Sequence, residues 1–127
     1  MHIKKIMIVD DLPQITYTVK YGLEKLDSDY NVLRVESGKK CLELLENNQI
    51  PDLILLDIMM PEMNGWEVAR KLREKLEWRK IPIIFLTAIE DETSKITGSI
   101  IAKDYIGKPF EITELKKKID TVLKERT

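Results

Sequence analysis

The sequence is short of cysteine, histidine and glycine, and carries almost no net charge: one Cys, one His, five Gly, and 21 basic against 22 acidic residues, for a formal charge of -1. A lone cysteine, Cys41, excludes an internal disulfide. Its apolar helical setting, with Leu44 and Leu45, marks a buried structural thiol rather than a nucleophile. His2 lies at the N-terminus, where it is solvated, so no Cys or His is placed to build a zinc or iron site. The glycines form neither a P-loop nor a Rossmann-type phosphate loop, and a nucleotide site lacks support. No basic excess argues for direct nucleic-acid binding. No run reaches the ~18 apolar residues of a membrane span. The apolar stretch before Asp10 is too short for a signal peptide. These absences point to a cytoplasmic protein that does not engage a membrane. With no repeat, low-complexity stretch or linker, residues 1–127 read as one domain with no effector domain attached.

What is present is a strict alternation of short apolar runs and helical patterns. Ile6-Met7-Ile8-Val9 runs into Asp10-Asp11, Leu53-Ile54-Leu55-Leu56 into Asp57, and Ile83-Ile84-Phe85-Leu86 into Thr87. A fourth segment, Asp104-Tyr105-Ile106-Gly107, leads to Lys108-Pro109. Runs of this kind read as parallel strands buried on both faces. Strands are expected over Lys4–Val9, Tyr30–Val35, from Leu53, from about Ile81 and around Tyr105. Helices are expected over Pro13–Leu26, after an N-cap at Ser37, over Trp66–Leu76, within Glu90–Ile101 and over Ile112–Lys124. Five strand–helix units imply a doubly wound α/β three-layer sandwich. Pro61-Glu62-Met63-Asn64-Gly65 reads as a loop, with Gly65 supplying turn freedom before the third helix. Trp66 is expected half-buried, Trp78 at the surface of a polar linker, and Lys116-Lys117-Lys118 on a solvated face.

In an open parallel sheet, ligands bind at the carboxyl ends of the strands. Asp10, Asp11, Asp57, Thr87 and Lys108 therefore converge on one edge. Crowded carboxylates repel unless a cation sits among them, and oxygen-only ligands suit Mg²⁺. A hydroxyl and an ammonium suit the oxygens of a phosphoryl group, and an aspartate can accept that group as a nucleophile. Taken singly, each residue has a plainer reading: Asp10-Asp11 as a helix cap, Thr87 as a strand-end cap, Lys108 as a surface charge, Tyr105 as a rim aromatic.

The segments Val9-Asp10-Asp11, Leu55-Leu56-Asp57-Ile58-Met59-Met60-Pro61, Met63-Asn64-Gly65, Leu86-Thr87-Ala88 and Asp104-Tyr105-Ile106-Gly107-Lys108-Pro109-Phe110 carry a resemblance. Over its whole length the chain resembles the receiver domain of two-component response regulators, the CheY-like family. The resemblance implies a flavodoxin-like, five-stranded parallel sheet of order 2-1-3-4-5 with five helices. It implies Asp57 as phosphoacceptor, Mg²⁺ bound by Asp11, by Asp10 mainly through water, by Asp57 and by the backbone carbonyl of Met59. Thr87 and Lys108 would hold phosphoryl oxygens, and Thr87 and Tyr105 would switch together. A cis peptide at Lys108-Pro109 is expected on the same ground. The implied partners are a sensor histidine kinase or phosphotransfer protein, a downstream protein or effector domain, and a second copy in a phosphorylation-dependent homodimer. The output face is expected on the fourth helix, fifth strand and fifth helix. The implied chemistry is self-catalysed phosphoryl acceptance and slow loss, not metabolic catalysis.

The segment Gly98-Ser99-Ile100-Ile101-Ala102-Lys103 departs from the family by lacking its usual turn glycine, with Ile100 and Ile101 expected partly exposed. Met59 and Ile89 are apolar where an attacking water would pass, which predicts slow dephosphorylation. A phosphotransferase or phosphatase with an aspartyl nucleophile would place a second acid at position 59, and Met59 counts against it. A binding-only receiver would have lost an acid or the lysine, and none is missing.

Overall fold

The computed structural model describes residues 2–88 and 103–125. Its elements are β1 (Lys4–Val9), α1 (Pro13–Leu26), β2 (Tyr30–Val35), α2 (Gly38–Glu46), β3 (Leu53–Asp57), α3 (Gly65–Glu74), β4 (Ile83–Ala88), β5 (Asp104–Lys108) and α4 (Ile112–Glu125). Here α4 is the fifth helix of the sequence reading. The helix expected within Glu90–Ile101, and with it Ile89, Ile100 and Ile101, lies outside the described residues. The sheet is parallel throughout, in the order β2-β1-β3-β4-β5.

Strand alternation explains the apolar runs. Ile6, Ile8, Leu53, Leu55, Ile84 and Leu86 pack on one side with Val19 and Leu23 of α1 and Leu115 and Ile119 of α4. Met7, Val9, Ile54, Leu56, Ile83 and Phe85 pack on the other with Cys41 and Leu45 of α2 and Val68, Ala69 and Leu72 of α3. Both faces of Ile6–Val9, Leu53–Leu56 and Ile83–Leu86 are dry, so side chains of either parity are apolar there. Cys41 is fully buried, and burial pushes its thiol up to about 12, as a structural thiol requires.

Local chemistry sets the helix starts. The Ser37 hydroxyl accepts the Lys40 N–H at 3.0 Å. Asn64 and Glu67 close a capping box on α3: Asn64 Oδ1 accepts the Glu67 N–H at 3.0 Å and Glu67 Oε1 accepts the Asn64 N–H at 3.1 Å. That box starts the helix at Gly65, one residue before the expected Trp66. It ends at Glu74, short of the expected Leu76, whose side chain is exposed.

Two surface expectations are corrected. Trp78 is buried, not exposed: with Ile81 it joins the core on the α2–α3 side, and Lys75 Nζ lies 4.3 Å from its ring centroid. A single indole in a polar stretch carries enough apolar area to turn inward by itself. The lysine run is only partly solvated. Lys116 pairs with Asp120 at 2.7 Å and Asp27 at 3.6 Å, and Lys118 with Asp104 at 3.3 Å. Tyr30 is buried beneath this network and its hydroxyl donates to Asp120 Oδ1 at 2.6 Å.

Candidate functional site: an acid cluster bridged by a lysine

Register brings the strand ends level. Val9 pairs with Leu56, Asp57 with Leu86, Thr87 with Gly107 and Ala88 with Lys108. Asp10 and Asp11 follow β1 directly, so β1, β3 and β5 deliver three acids and one lysine to the same edge. Carboxylate oxygens of Asp10, Asp11 and Asp57 lie within 4.8 Å of one another. Lys108 Nζ donates to Asp10 Oδ2 at 2.8 Å and to Asp57 Oδ1 at 2.9 Å. The Lys108-Pro109 peptide is cis, as expected.

Asp10 and Asp57 are buried while Asp11 is partly exposed. Asp10 keeps part of its plainer role, since its Oδ1 accepts the Leu12 N–H at 3.0 Å at the entry to α1. Burial raises the Asp57 carboxyl above its ordinary range; Asp10 and Asp11 push the same way, and Lys108 opposes without cancelling them. Burial by itself would lower Lys108, but its hydrogen bonds and charge contacts with Asp10 and Asp57 outweigh that and raise it. Three negative groups thus face one ammonium. This donor set fits Mg²⁺: it is oxygen-only, its oxygens are close enough to share one small ion, and Asp11 accepts no hydrogen bond among the described residues.

The other expected residues fall nearby with different contacts. Thr87 is buried, and its hydroxyl donates to the Ala88 carbonyl at 2.8 Å rather than to an acid of the cluster. Tyr105 is partly buried against the α2–α3 side of the core. Met59 projects its side chain into solvent, 73% exposed, just after β3. His2 is exposed.

Gly65 is corrected. Its φ is not positive, so turn freedom is not its role. A Cβ at this position would fall inside the contact distance of the Asp57 carbonyl oxygen and 2.9 Å from Ile58 Cα. The glycine is needed for clearance against the backbone of the acid that ends β3. Sequence reasoning also missed an apolar hollow of about 440 Å³ between α1 and the β5–α4 turn, bordered by Gln14, Ile15, Thr18, Phe110 and Lys108. Its parts are 90 residues apart in the chain, and no local pattern joins them.

The sequence profile of the response regulator receiver domain matches residues 6–120. Protein PilH of Pseudomonas aeruginosa is 38% identical over 120 residues, covering 94% of this chain and 97% of PilH. The alkaline phosphatase synthesis transcriptional regulatory protein PhoP of Bacillus subtilis is 37% identical over 122 residues, covering 95% of this chain and 49% of PhoP. The receiver domain of Francisella response regulator 1452 superposes with a TM-score of 0.87 at 29% identity, covering 98% of this chain and 99% of that one. The chain belongs to the response regulator receiver domain family of two-component signalling. It spans about half the length of PhoP and nearly all of PilH. No helix among the described residues is long and apolar enough to cross a membrane.

Proposed function

We propose that this chain is a cytoplasmic phospho-switch in which Asp57 accepts a phosphoryl group from a sensor histidine kinase or phosphotransfer protein. One observation carries the reading: a single lysine, Lys108, bridges Asp10 and Asp57 inside a three-carboxylate cluster at the binding edge of the sheet. An Asp57 oxygen attacks phosphorus, the P–N bond to the donor imidazole breaks, and its electron pair leaves with the ring. Asp11, Asp57 and the Met59 carbonyl would hold Mg²⁺, with Asp10 acting mainly through water, and the ion would supply positive charge against the phosphoryl oxygens. Lys108 then exchanges its contact with Asp57 for a phosphoryl oxygen. Thr87 turns its hydroxyl from the Ala88 carbonyl to the same group, and Tyr105 follows inward. The changed face made by β5, α4 and the preceding segment binds a downstream protein, an attached effector domain or a second copy. That PhoP, a relative about twice as long, is named a transcriptional regulatory protein supports the effector-domain alternative. The hollow beside α1 opens next to Lys108 and suits docking of the phosphodonor. Loss of the group is slow, because the Met59 side chain cannot orient a water by hydrogen bonding.

The test is intact mass after incubation with Mg²⁺ and acetyl phosphate. A single phosphoryl adduct that requires Mg²⁺ and is absent in Asp57→Asn supports the reading. No adduct on the parent, with Mg²⁺ binding established, overturns it in favour of a binding-only domain.

A further inference from the structure

Two glycines stand at contacts of the start of α3, Gly65 as its first residue and Gly38 on the neighbouring helix α2, and each is tight for a different reason. Gly65 lies against the backbone of Asp57 and Ile58. Gly38, the first residue of α2, lies where a Cβ would come within 2.6 Å of Val68 Cγ2 and 3.2 Å of the Met63 carbonyl oxygen. Val68 is on α3 and Met63 is in the turn that leads into it. On the far side, the Ile58 N–H donates to the Leu86 carbonyl of β4 at 3.2 Å, and the Ile58 carbonyl accepts from Gly65 at 2.9 Å and Met60 at 3.2 Å.

These contacts form one packed column. It runs from α2 through Met63 and Val68 to Gly65, then to Asp57–Ile58, then to β4. Three of its parts resist displacement. Val68 is buried and β-branched, so it cannot swing aside. The Asp57–Ile58 backbone is bonded into the sheet, and the start of α3 is closed by its capping box. A methyl group added at Gly65 meets the Asp57 carbonyl and Ile58 Cα directly, and one added at Gly38 loads α3 through Val68 toward the same backbone, so each puts strain on the strand end that carries the Asp57 carboxylate and leads to the Met59 carbonyl.

We infer that Gly38 and Gly65 are positioning residues for the acid site: together they set the depth of the Asp57–Met59 turn, and through it the affinity for Mg²⁺ and the rate of phosphoryl acceptance. The inference rests on the reading of Asp57 as phosphoacceptor. Gly38 is the distinctive member, because it belongs to another helix and touches no group of the site.

Gly22 supplies the comparison. A Cβ there would come within 2.9 Å of the partly exposed Ile112 side chain, a milder steric demand at the α1–α4 contact and outside the column. Gly65→Ala, Gly38→Ala and Gly22→Ala are compared with the parent in two measurements, melting temperature and the half-saturating MgCl₂ concentration by calorimetry. Gly65→Ala is expected to raise the half-saturating concentration about tenfold or more, the size seen when groups that orient metal ligands are disturbed. Gly38→Ala shifts it the same way by less, and acetyl phosphate acceptance slows in step. Gly22→Ala lowers the melting temperature but leaves the MgCl₂ midpoint in place. The inference is overturned if Gly38→Ala and Gly65→Ala bind Mg²⁺ as the parent does, or if Gly22→Ala shifts the midpoint equally. Should Gly65→Ala not fold, the Gly38→Ala midpoint alone decides. A parent that binds Mg²⁺ but gains no phosphoryl group sinks the phospho-switch while the midpoints still test the positioning. A parent that does not bind Mg²⁺ sinks both.

Discussion

Replacing Asp57 by Asn is expected to stabilise the protein when divalent cations are absent. Oxygens of Asp10, Asp11 and Asp57 lie within 4.8 Å of one another. At an effective dielectric of about 20, ionised Asp57 meets a repulsion of at least ~3.5 kcal/mol from each neighbour, ~7 kcal/mol in all. The Lys108 ammonium, 2.9 Å away, returns ~6 kcal/mol. The residue of about 1 kcal/mol is unfavourable, and burial of the charge adds to it with the same sign. Asparagine keeps an oxygen for Lys108 and sheds the charge. The net gain is about 1–2 kcal/mol, or roughly 4–8 °C in melting temperature for a chain of this size. The assay is thermal melting at neutral pH and low salt, in EDTA and again in excess MgCl₂. In EDTA the variant melts higher. In MgCl₂ the parent gains through mass action on its folded state and the gap narrows or reverses. A variant that melts at or below the parent in EDTA refutes the charge-crowding argument.

Burial would raise the Asp120 carboxyl, but hydrogen bonds from Lys116, Tyr30 and Lys4 outweigh it and hold the pKa below the ordinary 3.8. A depressed carboxyl contributes stability above its ordinary value and loses it as pH falls through the folded one, so the deficit of Asp120→Asn should be full at neutral pH and vanish in strong acid; a melting-temperature difference that does not change with pH would contradict this. Tyr30→Phe removes the donor of the 2.6 Å bond to Asp120 and should cost ~1–2 kcal/mol in urea unfolding. Leu72→Ala, in the fully buried α3 face, should cost ~2–5 kcal/mol, whereas Leu76→Ala, 74% exposed, should stay within about 0.5 kcal/mol. Met59→Asn should shorten the lifetime of the phosphorylated form, read as adduct remaining over time by mass, and an unchanged lifetime would show that water orientation at this position does not limit hydrolysis.

Strands were the most legible part of the fold, because the central stretches Ile6–Val9, Leu53–Leu56 and Ile83–Leu86 are covered on both faces and are apolar at every position. Helices α1 and α4 were legible from one-sided stripes such as Val19–Leu23 and Leu115–Ile119–Val122. Trp78 misled because its neighbours are polar, and its burial depends on how the turn after α3 folds back on the core. The start of α3 misled for a different reason: the capping signal Asn64-Gly-Trp-Glu67 is in the chain and begins the helix at Gly65.

At the site, the sequence by itself determined which groups are present and that they gather at one edge. Acids placed at the ends of buried parallel strands have no other direction in which to emerge. What only the tertiary structure decided is how those groups are arranged. Lys108 reaches both Asp10 and Asp57 because β5 and β1 are held apart by just β3 and β4 in a fixed register. The Thr87 hydroxyl is turned to its neighbour's carbonyl. Gly65 is a clearance for the Asp57 backbone rather than a flexible turn, and Gly38 presses on the same helix from α2. Each of these depends on atoms distant in the chain meeting at contact distance. Composition and periodicity carry the preference of each residue for water or core, but the distances come from close packing among all the elements at once.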